Sequence, residues 1–288
     1  NTAVGKSALT SNVTGTNLVA VGYEALLTNT GHNNTAVGKS ALRLNQTANN
    51  GTALGNNALK ANTTASNNVA VGYESLGSNT TGNDNTAVGT LSLSINQTGV
   101  CNTAVGHSAL RNNTASSNSA VGHAALQNNT TGIDNIAMGR SALANNTTGS
   151  QNTGLGYGAL SSVTTATGCT AVGRNTLNLN TAAGATAVGN RAMEANTTGL
   201  YNTAVGRQAL IANTTSNNNT AVGYDALNDN TDGSENTAIG SFALDKNTTA
   251  DNVTAVGYNS LGANTSGADN TAVGMNAMAI NTTGTQNT

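Results

Sequence analysis

An aliphatic residue followed by glycine returns at a nearly fixed interval along the whole chain, and this constrains the fold more than any other feature. The pair closes at Gly5, Gly22, Gly38, Gly55, Gly72, Gly89, Gly106, Gly122, Gly139, Gly156, Gly173, Gly189, Gly206, Gly223, Gly240, Gly257 and Gly274. Thirteen of the sixteen intervals are 17 residues and three are 16, which gives the consensus N-T-A-V-G-x-x-A-L-x-x-N-T-T-G-x-x. A period of this length marks a repeat architecture, in which each unit buries its apolar face against its neighbours. Gly, Asn and Thr at these densities exclude a helical repeat, which needs ten or more helix formers per unit. The expectation is an all-β fold: a β-solenoid of about seventeen coils of 16–17 residues, with strands at TAVG and at NTT. Stacked at about 4.8 Å, the coils predict an elongated rod roughly 80 Å long.

Each column is numbered from its glycine as zero. Position −1 is always aliphatic (Val4, Leu54, Met138, Ile239) and +4 is always Leu or Met, so these two columns are the expected core. Position −2 is Ala except at Gly154, and +3 is only Ala, Ser or Thr, which implies sites with little free volume. Position −3 accepts Thr, Val, Ile or Ser, and it shares a strand face with −1. Position +7 is Asn in sixteen coils and Val163 in one. Stacked asparagines can bond amide to amide, so Asn62, Asn79, Asn96, Asn129, Asn146, Asn196 and Asn213 are predicted to form an inward structural ladder. Twelve of these +7 asparagines lie in N-x-T/S sequons, which would permit a glycan only if they face outward. The three short coils keep the Gly-to-Asn spacing, so their missing residue falls after Asn29, Asn113 and Asn180.

The most variable informative column is +1, which holds five of the ten cations and five of the six tyrosines. No two Lys or Arg are neighbours in it. Tyr23, Tyr73, Arg140, Tyr157, Arg174, Arg207, Tyr224 and Tyr258 form a candidate surface-contact stripe, in which Tyr separates like charges and offers cation–π contacts. The plainer reading is a solvated face that avoids self-repulsion. His107 and His123 stack in this column without an acid or cysteine beside them, so no metal site is expected. The column −5 acids Asp84, Asp134, Glu235 and Asp269 are too far apart for a catalytic pair, and no cofactor motif occurs. Cys101 and Cys169 are four coils apart, beyond disulfide reach.

A formal net charge of −2 leaves no basic stripe for nucleic acid. No apolar run approaches a membrane span, and Asn1–Gly5 lacks the pattern of a signal peptide. Residues 1–288 read as a single repeat array without caps, in phase at Asn1 and two residues into another unit at Thr288, as expected of a piece of a longer fibre.

The consensus resembles the 17-residue repeats of tail-fibre-like proteins of phages and bacterial surfaces. More distantly it resembles the head repeats of trimeric autotransporter adhesins, whose aliphatic-Gly strands are echoed by Ala3-Val4-Gly5 and Ala238-Ile239-Gly240. The resemblance covers the whole chain and implies an extracellular, cell-surface or virion-surface fibre, commonly of three parallel chains. The thin core per coil also favours a homo-oligomer or end-to-end assembly. The leading expectation is a non-catalytic stalk or adhesin fibre, with glycan or surface contact through the Tyr column. The alternative is an ice- or surface-binding solenoid that uses Thr ladders at +8 and +9. A polysaccharide-processing enzyme is disfavoured by the scattered acids.

Overall fold

The computed structural model describes residues 1–288, which form strands, turns and bends with no helix. The chain groups into two compact units, Asn1–Thr148 and Gly149–Thr288. Each unit is a β-solenoid. The first carries nine strands, from β1 (Thr2–Val4) to β9 (Ile136–Met138), and the second carries eight, from β10 (Thr153–Leu155) to β17 (Thr271–Val273). Within each unit, successive strands pair in parallel and like meets like: Thr35, Ala36 and Val37 face Thr52, Ala53 and Leu54, while Thr203, Ala204 and Val205 face Thr220, Ala221 and Val222. The 16-residue intervals keep this register, as at Thr170 against Thr186. The period in sequence is therefore a period in space.

Each coil has one strand of three residues, not two of about four. The expected NTT strand is replaced by a bend, and the stretch between glycine and +6 is a tight turn. The turn is built on backbone handedness. Residues +2, +4 and −5 sit in the left-handed region in nearly every coil, as at Ser40 (φ 57), Leu42 (φ 48) and Asn50 (φ 57). A left-handed leucine costs about 1–2 kcal/mol, but these leucines, Leu9 near the chain end excepted, are buried, which returns about 1.5–3 kcal/mol. Its amide also finds a partner: Leu42 N–H donates to the Ala58 carbonyl of the next coil at 3.0 Å. Burial and bonding together hold the unfavourable φ. Between the alternating hands, hydrogen bonds leave the coil in both directions, since Ser40 N–H donates backward to Tyr23 at 2.8 Å.

The strand faces correct the expected core. The −2 alanines point inward and are fully buried, from Ala20 to Ala255. The −1 aliphatics point outward and stay partly exposed, for example Leu54 at 48%, Met138 at 43% and Ile239 at 41%. Position −3 shares that outer face, as the period of two requires. The interior opposite the strand admits only a methyl group, because the +4 leucines, all but those nearest the chain ends fully buried, already fill it together with the asparagines. The zero column is just as crowded. A Cβ added at Gly38, whose φ is 135°, would lie 2.4 Å from the Gly55 carbonyl oxygen.

The inward Asn ladder forms as expected. Asn62, Asn79, Asn96, Asn129 and Asn146 in the first unit, and Asn196 and Asn213 in the second, are at most 1% exposed. Their Nδ2 groups donate to the preceding Oδ1, as in Asn79 to Asn62 (3.1 Å), Asn96 to Asn79 (3.0 Å), Asn129 to Asn113 (2.7 Å), Asn146 to Asn129 (2.8 Å) and Asn213 to Asn196 (2.7 Å). The short coils loosen it. Asn29 reaches Asn12 only at 3.4 Å, and Asn96 Oδ1 is buried with no donor, Asn113 keeping the bond to its own Ala115 carbonyl at 2.7 Å without the ladder bond.

A second ladder occupies column −4, which is Asn in twelve of the seventeen coils. It uses a different chemistry. Asn219 Oδ1 accepts from the backbone N–H of Asn236 at 3.0 Å, and its Nδ2 donates to the Gly233 carbonyl at 2.9 Å. Asn230 of the first ladder donates to that same carbonyl at 2.8 Å. The two ladders thus converge on one column of carbonyl oxygens. Buried polar groups of this kind are costly unless satisfied, and most of them find partners across the coil or between coils, Asn96 Oδ1 being an exception.

Candidate interaction surface

With the asparagines and leucines committed to the interior, only the outer columns are left to meet another molecule. All eight residues of the predicted stripe are exposed: Tyr23, Tyr73, Arg140, Tyr157, Arg174, Arg207, Tyr224 and Tyr258. Each follows the left-turning glycine, which places it at the corner where the strand ends. The structure joins them into short groups, not one continuous stripe. The Arg174 guanidinium lies 5.9 Å from the Tyr157 ring centroid, and that of Arg207 lies 5.4 Å from Tyr224. Such exposed contacts contribute about 0.5–1 kcal/mol.

Phe242, the single phenylalanine, was missed by column reasoning because it lies at +2. It makes edge contacts with Tyr224 at 5.2 Å and Tyr258 at 5.9 Å, bridging two tyrosines of the stripe. Tyr23 and Tyr73 belong to a different environment. Each phenol is held above its ordinary value by a hydrogen bond to the adjacent carboxylate, Glu24 or Glu74, whose negative charge adds to the effect. His107 and His123 stack with ring centroids 5.2 Å apart and planes 9° from parallel. No group of three or more His, Cys, Asp or Glu converges on a point where a metal ion could sit.

Beside this stripe runs the outer face of the strands, where the −1 aliphatics stand partly uncovered. In the first unit this face includes Leu54, Val121, Ile136 and Met138, and in the second Leu155, Val188, Val205 and Ile239, each between 37% and 48% exposed. Repeated in register, they make an apolar line on each unit instead of the isolated exposed residues that need no explanation.

The remaining candidates resolve individually. The acids of column −5 are exposed and extend a ladder of surface amides: Asn50 donates to Asn67 at 3.0 Å, and Asn67 donates to Asp84 at 2.9 Å. The +8 threonines spend their hydroxyl protons on main-chain carbonyls, as Thr63 does on Thr80 (3.1 Å) and Thr248 on Thr265 (3.0 Å). The sequon asparagines of column +7 between Asn45 and Asn264 are buried, so the amide nitrogen that would carry a glycan is enclosed by its neighbours. Cys101 is exposed and Cys169 buried, and both thiols are free. No helix is long and apolar enough to cross a membrane.

No family model and no curated protein matches the chain.

Proposed function

We propose that this chain is a structural stalk segment of an extracellular or virion-surface filament or adhesin, and that it performs no catalysis. One observation carries the reading: the same hydrogen-bond scheme and the same strand register recur coil after coil within each unit, while the variable residues are left outside. Such an arrangement supplies length and stiffness and needs no unique site. The resemblance of the repeat to tail-fibre and adhesin-head repeats points the same way. The nearly neutral charge favours neither nucleic acid nor an anionic membrane as partner.

Self-association fits the apolar line of −1 residues, which a second copy in parallel register would cover with identical chemistry. Sedimentation and negative-stain microscopy of the purified chain test both parts. The expected result is a homo-oligomer, a trimer or an end-to-end filament, of elongated particles. A compact monomer at high micromolar concentration would overturn it.

The ice- or surface-binding alternative draws support from the exposed +9 threonines, including Thr64, Thr81, Thr131 and Thr198. It is weakened at +8, where the hydroxyl protons already serve the backbone. Thermal hysteresis in a freezing assay would favour the alternative, and its absence favours the stalk.

A further inference from the structure

The repeat is interrupted on its outer surface at one place in the first unit. Column +5 carries Arg43, Lys60, Arg111, Gln127 and Ile211 in different coils, so the backbone there tolerates large side chains. Gly77 has none. An added Cβ would touch main-chain atoms, the nearest being the Glu74 carbonyl oxygen at 3.2 Å, and no side chain stands among its nearest neighbours. At Gly262, the other glycine of this column, the Asn259 side chain fills that space, with Oδ1 2.0 Å from an added Cβ. The recess over Gly77 is unfilled by the protein itself.

Its walls are chemically mixed. Lys60 lies on one side and Arg111 on the other, with Glu74, Ser94 and Ile95 between them. Neither cation makes an ion pair with a carboxylate, in contrast to Arg43, which bonds Glu24 at 2.6 Å. The Arg111 Nε is sealed from solvent and hydrogen-bonds nothing, an uncommon state for a charged donor. The sole acid, Glu74, is already engaged by the Asn57 amide at 3.4 Å. Two cations and one acid leave the recess with a net positive charge, while Ile95, 43% exposed, supplies an apolar wall.

We propose that this recess binds a carboxylate-bearing sugar of the uronic acid type. The carboxylate pairs with the guanidinium of Arg111, which makes no ion pair within the chain. The hydroxyls meet Ser94 and Asn57, and the apolar face of the ring lies on Ile95. A single sugar ring spans about one coil spacing, ~4.8 Å, which is the distance between the Gly77 and Ser94 levels. The site does not depend on the stalk reading, since it would exist on a monomer or an oligomer.

Calorimetric titration of the full chain with glucuronate tests this, with glucose and acetate as separate probes. The expected result is saturable binding of glucuronate, with glucose and acetate each at least about tenfold weaker. Arg111→Gln and Gly77→Gln should each weaken glucuronate by about tenfold or more, the first by removing the charge and the second by filling the recess. Gln127 already occupies the equivalent of position 77, so the second variant keeps the fold, as circular dichroism would verify. Arg43→Gln, which removes an arginine already paired, should leave binding unchanged. Absence of saturable binding, equal binding of glucose or of acetate, indifference to both recess variants, or an equal loss in Arg43→Gln would each overturn the proposal.

Discussion

Two stretches of the second unit share one backbone and differ in what fills it. Around Ser216, Gly233 and Ala250, each inward carbonyl accepts two amides, one from each Asn ladder: Asn202 and Asn213, Asn219 and Asn230, Asn236 and Asn247, all at 2.7–3.2 Å. Around Ala166, Ala182 and Gly199 the ladders are broken. Val163 replaces the asparagine of one, and Cys169 and Ala185 replace those of the other. Ala166 then accepts from Asn152 at 2.8 Å and Gly199 from Asn196 at 3.1 Å, while at Ala182 the Cys169 thiol stands in at 3.2 Å beside Asn180 at 2.6 Å. Strand register is unaffected, with Thr170 still against Thr186. The coil shape therefore comes from the glycine, alanine and leucine columns, and the ladders add stability to a shape already determined.

This contrast can be broken most decisively at Asn230. Asn230→Ala removes donors to Gly233 and Asn213 and the acceptor used by Asn247. Leaving buried groups unpaired should cost about 3 kcal/mol, read as a shift in the urea midpoint. A loss below about 1 kcal/mol would mean that doubly bonded carbonyls are no stronger than singly bonded ones.

The converse change repairs the broken stretch. Cys169→Asn places an amide where its Nδ2 can donate to the Ala182 carbonyl and its Oδ1 can accept from Ala185 N–H, and it should stabilise by about 1 kcal/mol. Destabilisation would show that this segment has settled around the thiol. The native thiol gives an independent reading of the packing. Burial pushes the Cys169 thiol above its ordinary value, outweighing hydrogen bonds from its neighbours. Alkylation at pH 8 followed by mass spectrometry should therefore modify exposed Cys101 and leave Cys169 untouched until denaturant is added. Early reaction of Cys169 would mean that this stretch opens locally.

The smallest effect is expected on the outer surface of the well-laddered stretch. Burial raises the carboxyl of Asp245 above its usual range even though Lys246, at 3.1 Å, pulls the other way. A raised acid favours the protonated form in the fold, so that contribution is present at low pH and is lost as pH rises through the folded value. Asp245→Asn should therefore stabilise the protein at neutral pH, by less than about 1 kcal/mol, and the advantage should vanish in acid. Asp229 remains to pair with Lys246 at 3.0 Å. A destabilised variant at neutral pH would mean that the Lys246 contact outweighs the burial.

Much of this was legible from the residues, and the errors have a common origin. Period, parallel stacking and the +7 ladder follow directly from Gly, Ala, Leu and Asn recurring at fixed offsets. Valine at −1 was assigned to the core because bulky aliphatics usually go there, yet the alanines beside it took the narrow inner side and the strand period sent valine outward. The NTT segment is a bend in which the +8 and +9 amides share one carbonyl of the next coil, as Thr63 and Thr64 share that of Thr80, a pattern with no local sequence signature. Column −4 is visible as asparagine in the sequence, but its partners are carbonyls that a sequence does not show. Of the candidate stripe, the exposure of Tyr23 through Tyr258 was readable. The bridge that Phe242 makes between Tyr224 and Tyr258 was not, and the recess over Gly77 emerges only when neighbouring coils are superposed in space.

The in-register pairing of like residues has a consequence for how such a chain can change. If a whole 17-residue block is deleted or duplicated, the strands that flank the change meet a new neighbour of the same register and nearly the same sequence, as Thr35, Ala36 and Val37 already meet Thr52, Ala53 and Leu54. The gene can thus grow or shrink by recombination between its own copies at little thermodynamic penalty. A point change at a zero-column glycine is less well tolerated, since at Gly38 a Cβ would lie 2.4 Å from the carbonyl oxygen of the adjoining coil.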